Sequence, residues 1–444
     1  MTGLLVDGAV LTVGLLGLLV LRRAPRWALV LWLAVVCCVP VWFVVPLQID
    51  VEPEVAVTLV LVACLLPLGH LAAGPVLRLT LWDGLVALFF LAALLPITWG
   101  AATIADDWVL AAQWGMAFLA GRLVAHRVGL PWVYGAVAVA FTLAAGFALV
   151  EFLTAWNPFA LFPGSGSLYD SWAPVQLRAD RPRAEGAFGH SIALGASLAM
   201  AIPLTLAAPF RPLVRVVMVL VMLGAVAVTF SRDGLLTAVL GVVLTVVLVR
   251  RDLPVKVRMW VMGGLGVAAV AAVPWLLGVF SAAGSEATDS AGYRLDLLGL
   301  VPHMAPLGLS DVFYESPAGG RFFGAFRSID SALILLGLTY GWIPLVIVAL
   351  LLVGALGAVL TGHGRAPTVA VVAQLPAFIT VALITQYASV AWFIAGLAVF
   401  AQSVAREPMA SGEEPFLPRQ PPELVKGLTR PGEGGRHIRP SELV

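Results

Sequence analysis

The chain has 444 residues, 61% of them hydrophobic and 11% charged, with mean hydropathy +0.99 and formal net charge +1. Soluble domains carry roughly 45–50% apolar and about 25% charged residues, so soluble domains of this composition would lack a polar surface. This excludes a secreted or cytosolic enzyme, and the near-neutral charge argues against nucleic-acid binding, which requires a basic face.

In chain order, apolar runs fall at residues 3–21, 28–46, 55–73, 84–99, 108–121, 132–154, 187–208, 213–230, 234–249, 260–280, 331–360, 368–387 and 389–404. A bilayer core needs about 20 apolar residues per helix, so these runs predict about 12–13 transmembrane helices. The fold class expected is all-α: a polytopic integral membrane domain over residues 1–405. The first run ends in Arg22, Arg23 and Arg26 with no small-residue cleavage site after it, and reads as a membrane helix rather than a signal peptide. The run 331–360 is long for one crossing and is expected to begin with a separate helical piece. Cys37, Cys38 and Cys64 all lie inside apolar runs, which argues against a disulfide framework or a thiolate metal site.

Basic residues set the expected orientation. Arg22, Arg23 and Arg26, then Arg78, Arg122 and Arg127, Arg211 and Arg215, Arg250, Arg251, Lys256 and Arg258, and Arg365 occupy alternate breaks. Those breaks read as cytoplasmic. The breaks between them begin acidic, with Asp50, Glu52 and Glu54, then Asp106 and Asp107. The tail, residues 406–444, is rich in Pro, Gly and charge; it is expected to be disordered and cytoplasmic. Two outer loops, about 155–186 and 281–328, exceed the usual loop length and are expected to form the active site. Within the second, Arg294, Leu297, Leu298 and Val301 recur at helical spacing, predicting a short helix on the outer surface.

Seven arginines oppose the orientation bias: Arg178, Arg181, Arg183, Arg232, Arg294, Arg321 and Arg327. Arg232 sits in Ser231-Arg232-Asp233, the polar break between two spans, hence near headgroup depth. An ionisable residue there is a functional candidate, and a guanidinium offers a fork suited to phosphate oxygens. The plainer alternatives are a snorkelling Arg232 paired with Asp233, an Arg294 paired with Asp296 or Glu286, and a solvated loop face around Arg178. Taken together, the seven predict an outward-facing site for a membrane-held polyanion such as a lipid-linked diphosphate.

Three segments resemble the bacterial O-antigen ligase and polysaccharide polymerase superfamily. Arg183-Ala184-Glu185-Gly186-Ala187-Phe188-Gly189-His190 resembles its Arg-x-x-Gly-x-Phe-x-His approach to a span. Thr229-Phe230-Ser231-Arg232 resembles its Ser-Arg motif between spans. Arg294, Pro306-Leu307-Gly308 and Ser328-Ile329-Asp330-Ser331, followed by Gly341, resemble the large outer loop and the polar pair that opens the next helix. Together they cover roughly residues 183–360; the first 180 residues match only as a series of spans.

The resemblance implies a glycosyltransferase that takes a glycan from undecaprenyl diphosphate on the outer face of the cytoplasmic membrane. The glycan passes to a hydroxyl of a glycan or lipid acceptor, without metal or nucleotide sugar, and a chain-length regulator is a conceivable partner. Arg232 and Arg294 would hold the diphosphate, with Arg183 positioning donor or loop. Asp330-Ser331 stands where lipid A core ligases show His-Asn or His-Ser, which is closer to the exopolysaccharide polymerases. Asp233, after Ser-Arg, is a second departure. Whether the chain is a polymerase or a ligase stays open.

A diphosphate is a good leaving group, so positioning and cationic stabilisation can carry the chemistry. The acceptor hydroxyl gains from a nearby base. Asp330 is the first choice, and reads equally as the N-cap of the helix that follows. His190 and His303 are the other titratable candidates, with Arg181 and Arg327 as further substrate contacts. Tyr169, Trp172, Tyr293 and Tyr314 suit stacking on sugars or an interfacial belt. A transporter or lipid-linked glycan flippase is the reading of another class. It would place its charges near the bilayer midplane, where this chain has few.

Overall fold

A computed structural model of the chain describes residues 17–46, 50–66, 79–164, 166–178, 181–248, 255–282, 286–316 and 320–405. The run 3–21 and the tail 406–444 therefore lie largely or wholly outside the described residues, as does Arg78. Helices α1 (Pro25–Cys38), α2 (Pro53–Leu65), α3 (Leu81–Leu94), α4 (Ile104–Val128) and α5 (Leu130–Thr154) come first. They are followed by α6 (Ser191–Ala207), α7 (Pro212–Val228), α8 (Arg232–Leu248), α9 (Val255–Ala282) and α10 (Glu286–Leu298). The last are α11 (Ala332–Tyr340), α12 (Trp342–Leu360), α13 (Ala366–Ala373), α14 (Leu375–Thr380) and α15 (Thr385–Ala405). Among the described residues, strands are confined to three short antiparallel ribbons, β1–β2 (Val45–Pro46, Asp50–Val51), β3–β4 (Leu177–Arg178, Arg181–Pro182) and β5–β6 (Phe313–Glu315, Arg321–Phe323).

The described chain is thus all-α in architecture. Among the described residues five helical stretches are long and apolar enough to cross a membrane: Leu81–Trp99, Ile104–Val128, Leu130–Thr154, Trp342–Leu360 and Thr385–Val404. Their outward faces stay apolar. Leu143, Phe147 and Val150 on α5, and Val346, Leu350 and Val353 on α12, are exposed. Such a belt is what hydrocarbon requires and what water would penalise.

Local chemistry sets the helix ends. Proline opens α1, α2, α5, α7 and α13, where its missing N–H has no intrahelical partner to lose. Thr80 and Asp83 form a reciprocal capping box at the start of α3. One long run divides into two pieces as expected, and two others depart from their expected form. The run 331–360 breaks at Gly341 (φ 99°), between α11 and α12. The run 368–387 is two short helices, after which α15 begins at Thr385 with φ 49°. The stretch Val109–Gly115 within α4 is a π-helix, a wider turn than periodicity registers.

At the centre stands α6, buried from Ser191 to Leu206 except at Ile192. It packs against α5, α7, α8, α13 and α15. Its run of Ala, Ser and Gly lets neighbouring backbones approach closely. Between helices in lipid such contact, with interhelical hydrogen bonds, replaces the hydrophobic drive available in water. The α4–α15 crossing shows the limit: a Cβ on Gly121 would collide with the Phe393 carbonyl, and one on Gly396 with that of Phe118. Buried amides add ties, Gln374 Nε2 donating to Ala196 O (3.4 Å) and Gln386 Nε2 to Ala187 O (2.9 Å).

Candidate functional site

The loop before α6 is a strap pinned from beneath. Glu151, near the end of α5, accepts the backbone N–H groups of Glu185 (3.2 Å) and Gly186 (2.8 Å). Glu185 is itself buried and accepts the N–H of Gln176 at 2.7 Å. Burial, with the Glu151 charge nearby, pushes the Glu185 carboxyl up to about 8, against the pull of the Gln176 N–H and Arg183. Ala187 to His190 precede the helix, which starts at Ser191. His190 is its N-cap, with Nδ1 accepting the N–H of Ile192 at 3.1 Å and the ring edge-on to Trp172. Burial, with Arg183 adding, lowers His190 to about 4. A neutral imidazole whose acceptor nitrogen is already used is a poor general base.

The strap's arginines cap the neighbouring helix. At the end of α7 the chain turns sharply through Thr229-Phe230-Ser231, with buried Phe230 at φ 49°. Arg183 Nε donates to Thr229 O at 2.8 Å, and Arg178 Nη1 donates to Phe230 O at 3.0 Å. Cations at the carbonyl end of a helix satisfy orphan acceptors and the helix dipole. Ser231 then caps the next helix, its Oγ accepting the N–H of Gly234 at 3.0 Å. The Ser-Arg motif is therefore a tight helix-to-helix turn that presents Arg232, the first residue of α8, on an exposed rim.

Next to it, Thr380 Oγ1, at the end of α14, reaches both Asp233 Oδ1 (2.9 Å) and Pro376 O (2.7 Å), and its single proton serves one of them at a time. Asp233 Oδ2 lies 3.6 Å from Arg294 Nη2 on α10. Arg294 thus meets Asp233 rather than Asp296, and the Glu286 side chain lies outside the described residues. The contact is too long for a hydrogen bond, and the Arg294 Nε is buried without a partner among the described residues. The residue after Thr380 continues the chain of contacts: Val381 O accepts the N–H of Ala332, at the start of α11. Asp330 lies just before that helix, exposed, with Ser328 Oγ 3.2 Å from its Oδ1. The cap of α11 is Ser331, whose Oγ accepts the N–H of Ile334, so Asp330 is left clear of that duty. Tyr293, beside Arg294, donates to Ser328 O, and its hydroxyl is raised by burial and then by the Asp330 charge.

One neighbourhood therefore holds Asp233, Thr380, Arg294, Tyr293 and Asp330, with Arg232 adjoining in sequence. Residues 286–331 reach it on a small apolar core of Leu297, Leu300, Phe323, Ile329 and Leu338. The amphipathic face differs from the sequence expectation: Leu297 is buried, while Leu298 and Val301 are exposed. The remaining residues spread out. Arg181 is exposed on β4, opposite Arg178. His303 Nδ1 faces Asp311 Oδ1 at 3.2 Å, and Arg327 is exposed. Arg321 makes a two-pronged pair with Asp106 at 2.8 and 2.6 Å. Among the described residues no group of three or more His, Cys, Asp or Glu is arranged to hold a metal ion.

Sequence reasoning missed Thr380, which lay inside an expected span, and the service of Glu151 beneath the strap. A carboxylate inside an apolar helix, ahead of a loop rich in unpaired N–H groups, was the available signal for the second. Comparison of the chain with protein families and with curated proteins finds no match to either.

Proposed function

We propose that the chain is a membrane glycosyltransferase of the O-antigen ligase and polysaccharide polymerase superfamily. It acts at the outer face of the cytoplasmic membrane and extends a surface polysaccharide from undecaprenyl diphosphate-linked units. The observation that carries this reading is the Arg294 guanidinium. It is half-exposed, holds one carboxylate at 3.6 Å, and sits in the same neighbourhood as Asp330, with Arg232 beside Asp233.

In the proposed reaction the acceptor hydroxyl oxygen attacks the anomeric carbon of the donor's reducing-end sugar. Asp330 takes the hydroxyl proton. The bond from that carbon to the diphosphate oxygen breaks, and its electron pair leaves with the lipid diphosphate. Arg232 and Arg294 stabilise the charge that grows on the departing group, a contribution that reaches about 10²–10³-fold in rate for a single well-placed donor. Arg183 serves at one remove, by holding the turn that presents Arg232.

The test incubates purified protein in lipid nanodiscs with undecaprenyl diphosphate oligosaccharide. Longer lipid-linked products support a polymerase, and transfer to a second acceptor supports the ligase form. Unchanged substrate under conditions where the protein is folded removes the proposal.

A further inference from the structure

The second departure from the Ser-Arg pattern, Asp233, has a defined place. It is a carboxylate facing the guanidinium assigned above to a diphosphate, and it is held at a distance. Its Oδ1 lies 2.9 Å from the Thr380 hydroxyl, which shares its one proton between Asp233 and Pro376 O at 2.7 Å, while its Oδ2 stops 3.6 Å short of Arg294 Nη2. An unrestrained Arg–carboxylate pair closes to about 2.7–2.9 Å and often becomes two-pronged. The same chain shows that geometry in Arg321–Asp106 and Arg122–Asp83. Beside them the Arg294–Asp233 pair stands open, and Thr380 reaches Asp233 from a different helix than either partner.

We propose that Asp233 is a built-in stand-in for phosphate, an internal anion that Arg294 holds when no lipid diphosphate is bound. The inference rests on the functional reading above. A carboxylate fixed near Arg294 keeps the guanidinium oriented while the site is empty. Once diphosphate binds, the same negative charge repels it, which lowers affinity and favours release of the spent carrier. The Thr380 tether sets how strongly Asp233 competes, because it keeps the carboxylate from closing on the arginine. An affinity-setting residue of this kind has a distinctive sign: removing it tightens binding, whereas removing a residue that merely positions Arg294 weakens it.

The experiment measures binding of undecaprenyl diphosphate to the purified full chain in nanodiscs, with thermal unfolding as a control for folding. Asp233→Asn keeps the size and the acceptor for Thr380 and removes the charge. It should bind roughly fivefold tighter, the fold-change that a half-exposed ion pair of up to about 1 kcal/mol allows. Its turnover should show a lower KM and stronger inhibition by added undecaprenyl diphosphate. Thr380→Val frees the carboxylate to close on Arg294 and should bind more weakly. The double variant should behave as Asp233→Asn, because the tether has nothing left to restrain. Equal or weaker binding by folded Asp233→Asn overturns the inference while leaving the functional reading intact, provided that Arg294→Gln weakens binding. No binding by wild type, with Arg294→Gln unchanged, overturns both.

Discussion

Two arginine–aspartate pairs rise from the same segment of chain, and they are built differently. Arg321, on the β5–β6 ribbon, grips Asp106 with two parallel hydrogen bonds and lies over the Phe313 ring at 5.2 Å. Asp106 is buried and also accepts from Thr103 Oγ1 at 2.6 Å. Arg294, on α10, meets Asp233 at 3.6 Å. The first pair has used its fork on the protein and fastens the ribbon to the start of α4. The second leaves its fork unclosed on the protein, as the proposed binding role requires. Both arginines carry the same charge on what the sequence reads as the unexpected side. What separates a fastening from a binding group is how many donors the fold has already engaged.

The comparison is broken hardest at a third pair of the closed type. Arg122 joins Asp83 by two bonds of 2.8 Å, with side-chain exposures of 2% and 12%. Arg122→Leu leaves the largely buried Asp83 charge with only its Thr80 contacts, and losing one partner of such a buried pair costs about 3–5 kcal/mol. Loss of monodisperse folded protein in detergent, before any assay of activity, is the expected result. Native-like thermal unfolding of this variant would show that the two-pronged geometry does not mark a fastening.

Next in size is the contrast itself. Arg321→Gln should lower stability by about 2 kcal/mol, less than Arg122→Leu because Arg321 is part-exposed and screened. It should leave turnover per folded molecule near wild type. Arg294→Gln should do the reverse, leaving the unfolding temperature within a degree or two while turnover falls about 100-fold. Unfolding curves and initial rates on the same preparations decide it. A shared pattern for both variants would end the distinction between them.

Why the sequence discloses one half of this and not the other follows from where the partners lie. Apolar runs and proline-headed starts are local, so most helices and their order are readable. Arg321 finds Asp106 across 215 residues, and Arg178 finds Phe230 O across 52. No window of sequence shows whether those donors are engaged. The break ahead of α15 is equally silent, since Thr380-Val381-Ala382-Leu383-Ile384 holds neither Gly nor Pro. At Asp330 the sequence leaves base and cap both open, and the Ser331 Oγ, accepting the N–H of Ile334, assigns the cap to the next residue. Most residues around Asp233 stand out in the sequence by type, while the contacts that distinguish them run between positions far apart in the chain.

A smaller effect, set by pH, tests the strap on which the arginines rest. Glu185 ordinarily would titrate near 4.5 and is pushed up to about 8. Below about pH 4.5 it is protonated both folded and unfolded and adds no pH dependence. Between there and pH 8 the unfolded chain loses the proton while the folded chain keeps it, so stability falls as pH rises. Glu185→Gln retains an acceptor for Gln176 and removes this slope. The variant should gain unfolding temperature over wild type from pH 6 to 8 and match it near pH 4. Parallel curves at all pH values would place an ionised Glu185 in the fold.

The smallest effect separates the two residues at the start of α11. Ser331→Ala deletes the cap and should cost about 1 kcal/mol, with turnover per folded molecule little changed. Asp330→Asn touches no cap bond, so its unfolding temperature should stay at wild type while turnover on lipid-linked oligosaccharide collapses. The two losses should therefore appear in different measurements on neighbouring residues. If Asp330→Asn costs stability and spares turnover, the carboxylate belongs with Asp106 among the fastenings, and the proton of the acceptor must go elsewhere.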